Sequence, residues 1–72
     1  MKTLQENDVF QLSAALEAQV IGDERNITIP AGSVVTVVAV FGDSDSPEAY
    51  EVEAYLPHLD AYALTTVSAS DV

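Results

Sequence analysis

With no cysteine, and with Lys2 and Arg25 as single cations, the groups that could do chemistry in this chain are chiefly carboxylates, one imidazole and hydroxyls. His58 stands in the run Pro57-His58-Leu59-Asp60, two residues from Asp60. A histidine beside a carboxylate is the arrangement of a general base or of one arm of a metal site. Catalysis also needs a nucleophile or second acid within hydrogen-bond reach, and two groups on one turn rarely hold a metal alone. With neither partner in view, His58 reads as a surface residue. The hydroxyls carry no G-x-S-x-G or S-x-x-K signature, and Ser13, Ser44 and Ser46 stand where turn or cap serines belong. No G-x-x-x-x-G-K-[ST] phosphate loop occurs, and the sole lysine is Lys2. Without cysteine there is neither a disulfide framework nor a thiolate metal site. These features weigh against an enzyme, and no cofactor is expected.

The carboxylates are the stronger lead. Asp43, Asp45, Glu48, Glu51 and Glu53 gather on one expected hairpin, and Asp23 and Glu24 on another. The plain reading is that charged turns solvate a small domain and keep it from associating. Asp43-Ser44-Asp45 has the alternating oxygens of a calcium loop, but the remaining ligands and closing glutamate of an EF-hand are missing. The whole chain has 2 Lys+Arg against 12 Asp+Glu, a formal net charge of −10. Two cations are too few to neutralise a phosphate backbone, so direct nucleic-acid binding is not expected. The excess charge instead steers basic partners toward the protein. It could also imitate a phosphate row and occupy another protein's DNA or RNA cleft. Of the three tyrosines, Tyr50, Tyr55 and Tyr62, any could anchor an interface or fill a core.

The elements that must position these groups belong to one domain of 72 residues, spanning 1–72. At 49% hydrophobic residues and a mean hydropathy of +0.20, the chain is too apolar for disorder. No run approaches the ~18 apolar residues of a membrane helix. Met1-Lys2-Thr3 leads into polar residues rather than a secretory leader, so a cytoplasmic location without membrane contact is expected. A core of this size rarely supplies more than ~3–5 kcal/mol, and many small domains add oligomerisation. A homo-oligomer therefore stays open.

Punctuation at Gly22-Asp23, Pro30-Ala31-Gly32, Gly42 to Pro47 and Pro57-His58 cuts the chain into strand-length pieces. Ser33 to Phe41 is dense in β-branched residues and reads as a strand. Gly42 to Pro47 then reads as a turn, with Pro47 barring continued pairing. In the next strand Tyr50, Val52 and Ala54 share an inward face, while Glu51, Glu53 and Tyr55 share the other. Ala61 to Val67 completes a three-stranded meander. The N-terminal part reads as strand, loop and hairpin, with at most one helical turn near Ser13 to Ala18. The expected core is Val9, Leu12, Val34, Val38, Val40, Tyr50, Val52 and Leu64. Because Ser33 to Phe41 is apolar on both faces, Val35, Val37 or Phe41 must also be covered, by the N-terminal segment or by a second copy.

The order Asp8-Val9-x-x-Leu12, Ile29-Pro30-Ala31-Gly32-x-Val34-x-Thr36-Val37-Val38, Ala49-Tyr50-Glu51-Val52-Glu53, Ala63-Leu64 and Ser70-Asp71-Val72 resembles a family of small bacterial proteins. Their function is unknown, and they have an SH3-like β-barrel core. Members carry a D-V-x-x-L opening, a G-x-x-G-T-V-V turn and strand, and an A-Y-E-V-E-F strand. Here Val35 replaces the second turn glycine and Ala54 the final aromatic. The resemblance implies an all-β fold, a small SH3-like antiparallel barrel of about five strands. It also implies an association with toxin-like proteins as neutralising partners. The expected function is therefore a non-enzymatic acidic module that binds a protein with a basic surface, as a neutralising or accessory subunit. Asp43, Asp45, Glu48, Glu51, Glu53 and Tyr55 are the expected binding residues. The alternative is a nucleic-acid-mimicking inhibitor.

Overall fold

A computed structural model of the protein describes residues 3–23 and 25–72. Glu24 and Lys2 lie outside the described residues. Six strands form one antiparallel sheet: β1 (Val9–Gln11), β2 (Leu16–Val20), β3 (Asn26–Ile29), β4 (Val34–Asp43), β5 (Ser46–Leu56) and β6 (Ala61–Ser68). A single 3₁₀ turn, Ala69–Asp71, follows. The spatial order is β1-β4-β5-β6-β2-β3, and the sheet curls into a half-barrel around the core. The fold is thus all-β, with one strand more than the five expected. The segment Ser13 to Ala18 holds no helical turn; Leu16–Val20 is a strand.

The β4-β5-β6 meander forms as expected, but its first turn is shorter. Gly42 pairs with Pro47 and Asp43 with Ser46, which leaves only Ser44 and Asp45 in the loop. The Asp45 amide donates to the Asp43 carboxylate at 3.1 Å, the local closure that favours aspartate in turns. Pro47 sits inside β5 because the ladder slips there: Phe41 pairs with Ala49 and Gly42 with Pro47, so Glu48 is an extra residue. Proline is tolerated at such bulges. Gly42 has φ +91°, and a Cβ there would lie 3.0 Å from both the backbone N and the Cγ of Glu48. Only glycine fits this position.

A second bulge decides which face of β4 is buried. Val37 pairs with Val52 and Ala39 with Glu51, so Val38 and Ala39 together oppose one residue. Before the bulge Val35 and Val37 point inward; after it the phase changes, and Val40 stands opposite Tyr50. This corrects the expected core. Leu12, Tyr50 and Val52 are buried, and Val40 and Leu64 are half-buried. Val9, Val34 and Val38 are instead exposed at 56%, 57% and 36%. Val35 and Val37 need no separate cover because they are core residues themselves. Leu4, Ala18, Val20, Ile29, Ala54, Leu56, Ala63 and Val67 complete the core. Val35 continues the strand as an ordinary extended residue. The positive φ of the preceding turn, +86°, belongs to Gly32 alone.

The β1·β4 and β2·β3 ladders share one register. From Val9↔Thr36 to Leu16↔Ile29 is an equal step along each chain direction. They form a single long hairpin, bent at Ser13 to Ala15 on one side and Pro30 to Gly32 on the other. Two hydrogen bonds stitch the bend, from the Leu12 amide to the Ser33 carbonyl at 2.9 Å and from the Gly32 amide to the Leu12 carbonyl at 2.8 Å. The bend lets β4 pair with β5 while β2 reaches β6, with the ladder pairs Gln19↔Leu64 and Val20↔Ala63.

Candidate functional site on the outer sheet face

Alternation along β5 places Glu51, Glu53 and Tyr55 on the outer face, opposite the buried Tyr50, Val52 and Ala54. The other expected site residues are not gathered with them. Glu48 falls in the bulge, outside this alternation, and Asp43 and Asp45 stand at the hairpin tip. From Tyr55 to Ser46 the strand runs ~30 Å at ~3.3 Å per residue, so the acids form a line rather than a cluster. That line is comparable to the molecule's longest extent of 35 Å.

The neighbours of Glu51 and Glu53 come from the adjoining strands. Glu53 lies between Thr36 and Leu64, and Glu51 between the Val38–Ala39 bulge and Thr66. Propagating the pairings across the sheet puts Val9, Val34, Phe41, Tyr62 and Ile21 on this same face. Val9, Ile21, Val34, Val38, Phe41, Tyr55 and Tyr62 are all well exposed. The large exposed apolar side chains of the described residues, Val72 aside, therefore share one face with the two carboxylates. Exposed apolar side chains gathered on one face make it the candidate interaction surface. The sequence alone offers Tyr62 only as one of three candidate anchors, assigns Val34 and Val38 to the core and Phe41 to a face needing cover, and does not single out Ile21. The signal for Val34, Val38 and Phe41 is the double apolar face of β4; Ile21, in the turn after β2, carries none of its own.

Among the described residues the one cationic side chain is Arg25, whose Nε lies 2.8 Å from Asp23 Oδ2 in the β2–β3 turn. Among the described residues Arg25 makes no ion pair with Glu51 or Glu53.

Tyr55 and Tyr62 pack with ring centroids 5.1 Å apart, tilted by 56°. The Tyr55 hydroxyl donates to Asp60 Oδ1 at 2.7 Å, so the carboxylate two residues from His58 is engaged by a tyrosine. Donation to Asp60 raises the Tyr55 pKa above its ordinary value of 10.0, with smaller contributions from desolvation and from Tyr62. The raised acid contributes stability that is complete below the ordinary pKa and is lost as pH rises through the raised one. In an alkaline absorbance titration, Asp60→Asn should bring the Tyr55 transition down toward 10.0; an unchanged profile would show that the contact does not persist in solution.

His58 is exposed on the turn between β5 and β6. Among the described residues no group of three or more histidine, aspartate or glutamate side chains is placed to hold a metal ion. No helix among them is long and apolar enough to cross a membrane. Comparison with protein-family models, with curated proteins and with solved structures gave no match in any of the three, and the site is read from its own geometry.

Proposed function

We propose that this protein is a non-enzymatic interaction module that uses the outer face of its sheet to bind a protein partner with a basic surface. The reading includes an SH3-like assignment of the fold, supported by the bent hairpin wrapped on a three-stranded meander. It also includes a cytoplasmic, neutralising or accessory role. The observation that carries it is the interleaving of exposed Val34, Val38, Phe41 and Tyr55 with Glu51 and Glu53 on one surface. Apolar area supplies affinity, while the carboxylates act mainly on encounter rate and on choice of partner. A phosphate-mimicking inhibitor calls for a continuous polar row, and the apolar side chains beside Glu51 and Glu53 favour the protein-binding reading over it.

The test starts with affinity capture from the native host and mass spectrometry, followed by binding kinetics of the captured partner at two salt concentrations. Glu51→Lys with Glu53→Lys should slow association at low salt by about tenfold or more, since steering spans decades in rate. The effect should shrink at physiological strength, where the Debye length is ~8 Å. A double variant that binds like wild type at low salt would reduce the carboxylates to a solubility device.

A further inference from the structure

The outer face is not uniform. Where β2 parts from β6 after two paired residues, an open groove of about 600 Å³ crosses the seam. Its walls include the apolar Ile21 and Leu64, the amide-bearing Gln19, the hydroxyl-bearing Thr66 and the carboxylate-bearing Glu51. Asp23 stands at one end, in its pair with Arg25. Beyond the last ladder pair the strands stay tied by one side-chain contact, the Thr65 hydroxyl donating to the Glu17 carbonyl at 2.7 Å.

We propose that this groove seats an arginine side chain of the protein partner, which rests on the interface reading above and names the group that reading leaves open. Three observations converge on a guanidinium. Glu51 is only half-exposed, so a cation placed there meets a carboxylate partly withdrawn from water. Gln19 and Thr66 add polar oxygen atoms to the same groove. Ile21 and Leu64 make part of the wall apolar, and a guanidinium tolerates such surroundings better than the more strongly hydrated ammonium of lysine. A second copy of this chain is a poor occupant, because a symmetric contact through this face would oppose glutamates to glutamates on two bodies that each carry a net charge of −10.

The probe is Nα-acetyl-arginine methylamide, titrated into the ¹⁵N-labelled full chain and followed by amide chemical shifts. The expected result is a saturable response centred on Gln19, Ile21, Glu51, Leu64 and Thr66. The lysine analogue should bind several-fold more weakly. Glu51→Gln keeps the shape of the side chain, and its own spectrum reports whether the fold is retained; it should weaken the arginine probe about tenfold, the scale of a lost hydrogen bond to a charged group. Shifts that never saturate, an equal response in Glu51→Gln, equal binding of the lysine analogue, or a response centred on the hairpin tip would each overturn the arginine seat. If the seat fails while Glu51→Lys with Glu53→Lys still slows association with the captured partner, the interface reading stands without it.

Discussion

Tyr50→Ala should leave the chain largely unfolded at 25 °C. The ring is 1% exposed and is the largest of the fully buried side chains. It sits on β5, the central strand of the meander, opposite Val40 on one side and Val67 on the other. Its hydroxyl also accepts a hydrogen bond from the Leu4 amide at 3.2 Å, which pins the N-terminal segment over the core. Truncating a buried aromatic ring typically costs ~3–5 kcal/mol. That is about the whole stability expected of a domain this small without disulfides or metal. Tyr50→Phe keeps the ring and should cost only about 1 kcal/mol, the net worth of one hydrogen bond, with the buried Leu4 N–H left to find another acceptor. Urea unfolding followed by circular dichroism separates the two variants. A cooperative transition for Tyr50→Ala within 1 kcal/mol of wild type would contradict the placement of this residue at the centre of the core.

The second large effect is on binding and spares the fold. Val34→Asp combined with Phe41→Asp should weaken capture of the protein partner by well over tenfold, because charging an apolar anchor of an interface commonly costs ~2 kcal/mol or more. Both side chains are exposed, so the cost to stability should stay within the ~1 kcal/mol span of strand propensity per site, well short of unfolding by cavity formation. The contrast between a retained cooperative urea transition and a lost complex is the diagnostic. The signature also differs from that of the glutamate variant: loss of apolar contact speeds dissociation, whereas reversal of charge slows association. A double variant that binds like wild type would place the interface elsewhere.

Much of this architecture is legible in the residues, and what is hidden has a physical cause. On β5 the contrast between Tyr50-Val52-Ala54 and Glu51-Glu53-Tyr55 leaves only one phase that buries the apolar set, and the strand adopts it. On β4 both phases are apolar, so alternation cannot choose between them. The choice falls to pairing: Val37 must meet Val52, and one extra residue at Val38 then shifts everything beyond it. Leu4 is buried although it sits among polar residues with no periodicity, because its place is set by a tyrosine 46 positions away. The candidate site was half visible for the same reason. Glu51, Glu53 and Tyr55 follow from one strand's alternation. Val34, Val38 and Phe41 join them only through the register of the hairpin, which the two-residue loop at Ser44 and Asp45 fixes. The acidic tip, prominent in linear order, lies just beyond Phe41, at the opposite end of the strand from Tyr55.

The bent hairpin bears on how the molecule holds together as a cooperative unit. Beyond the bend, β2 and β3 form an arm that meets the meander through only two ladder pairs, together with the Ile21–Tyr62 and Thr65–Glu17 hydrogen bonds. Backbone pairing is therefore a thin link between the two halves. The firmer link is the burial of Ala18, Val20 and Ile29 against the same core that Tyr50, Val52 and Ala63 occupy. Arm and meander should lose structure together because they share one set of core side chains, which places the cooperativity of this small sheet in its packing more than in its ladder.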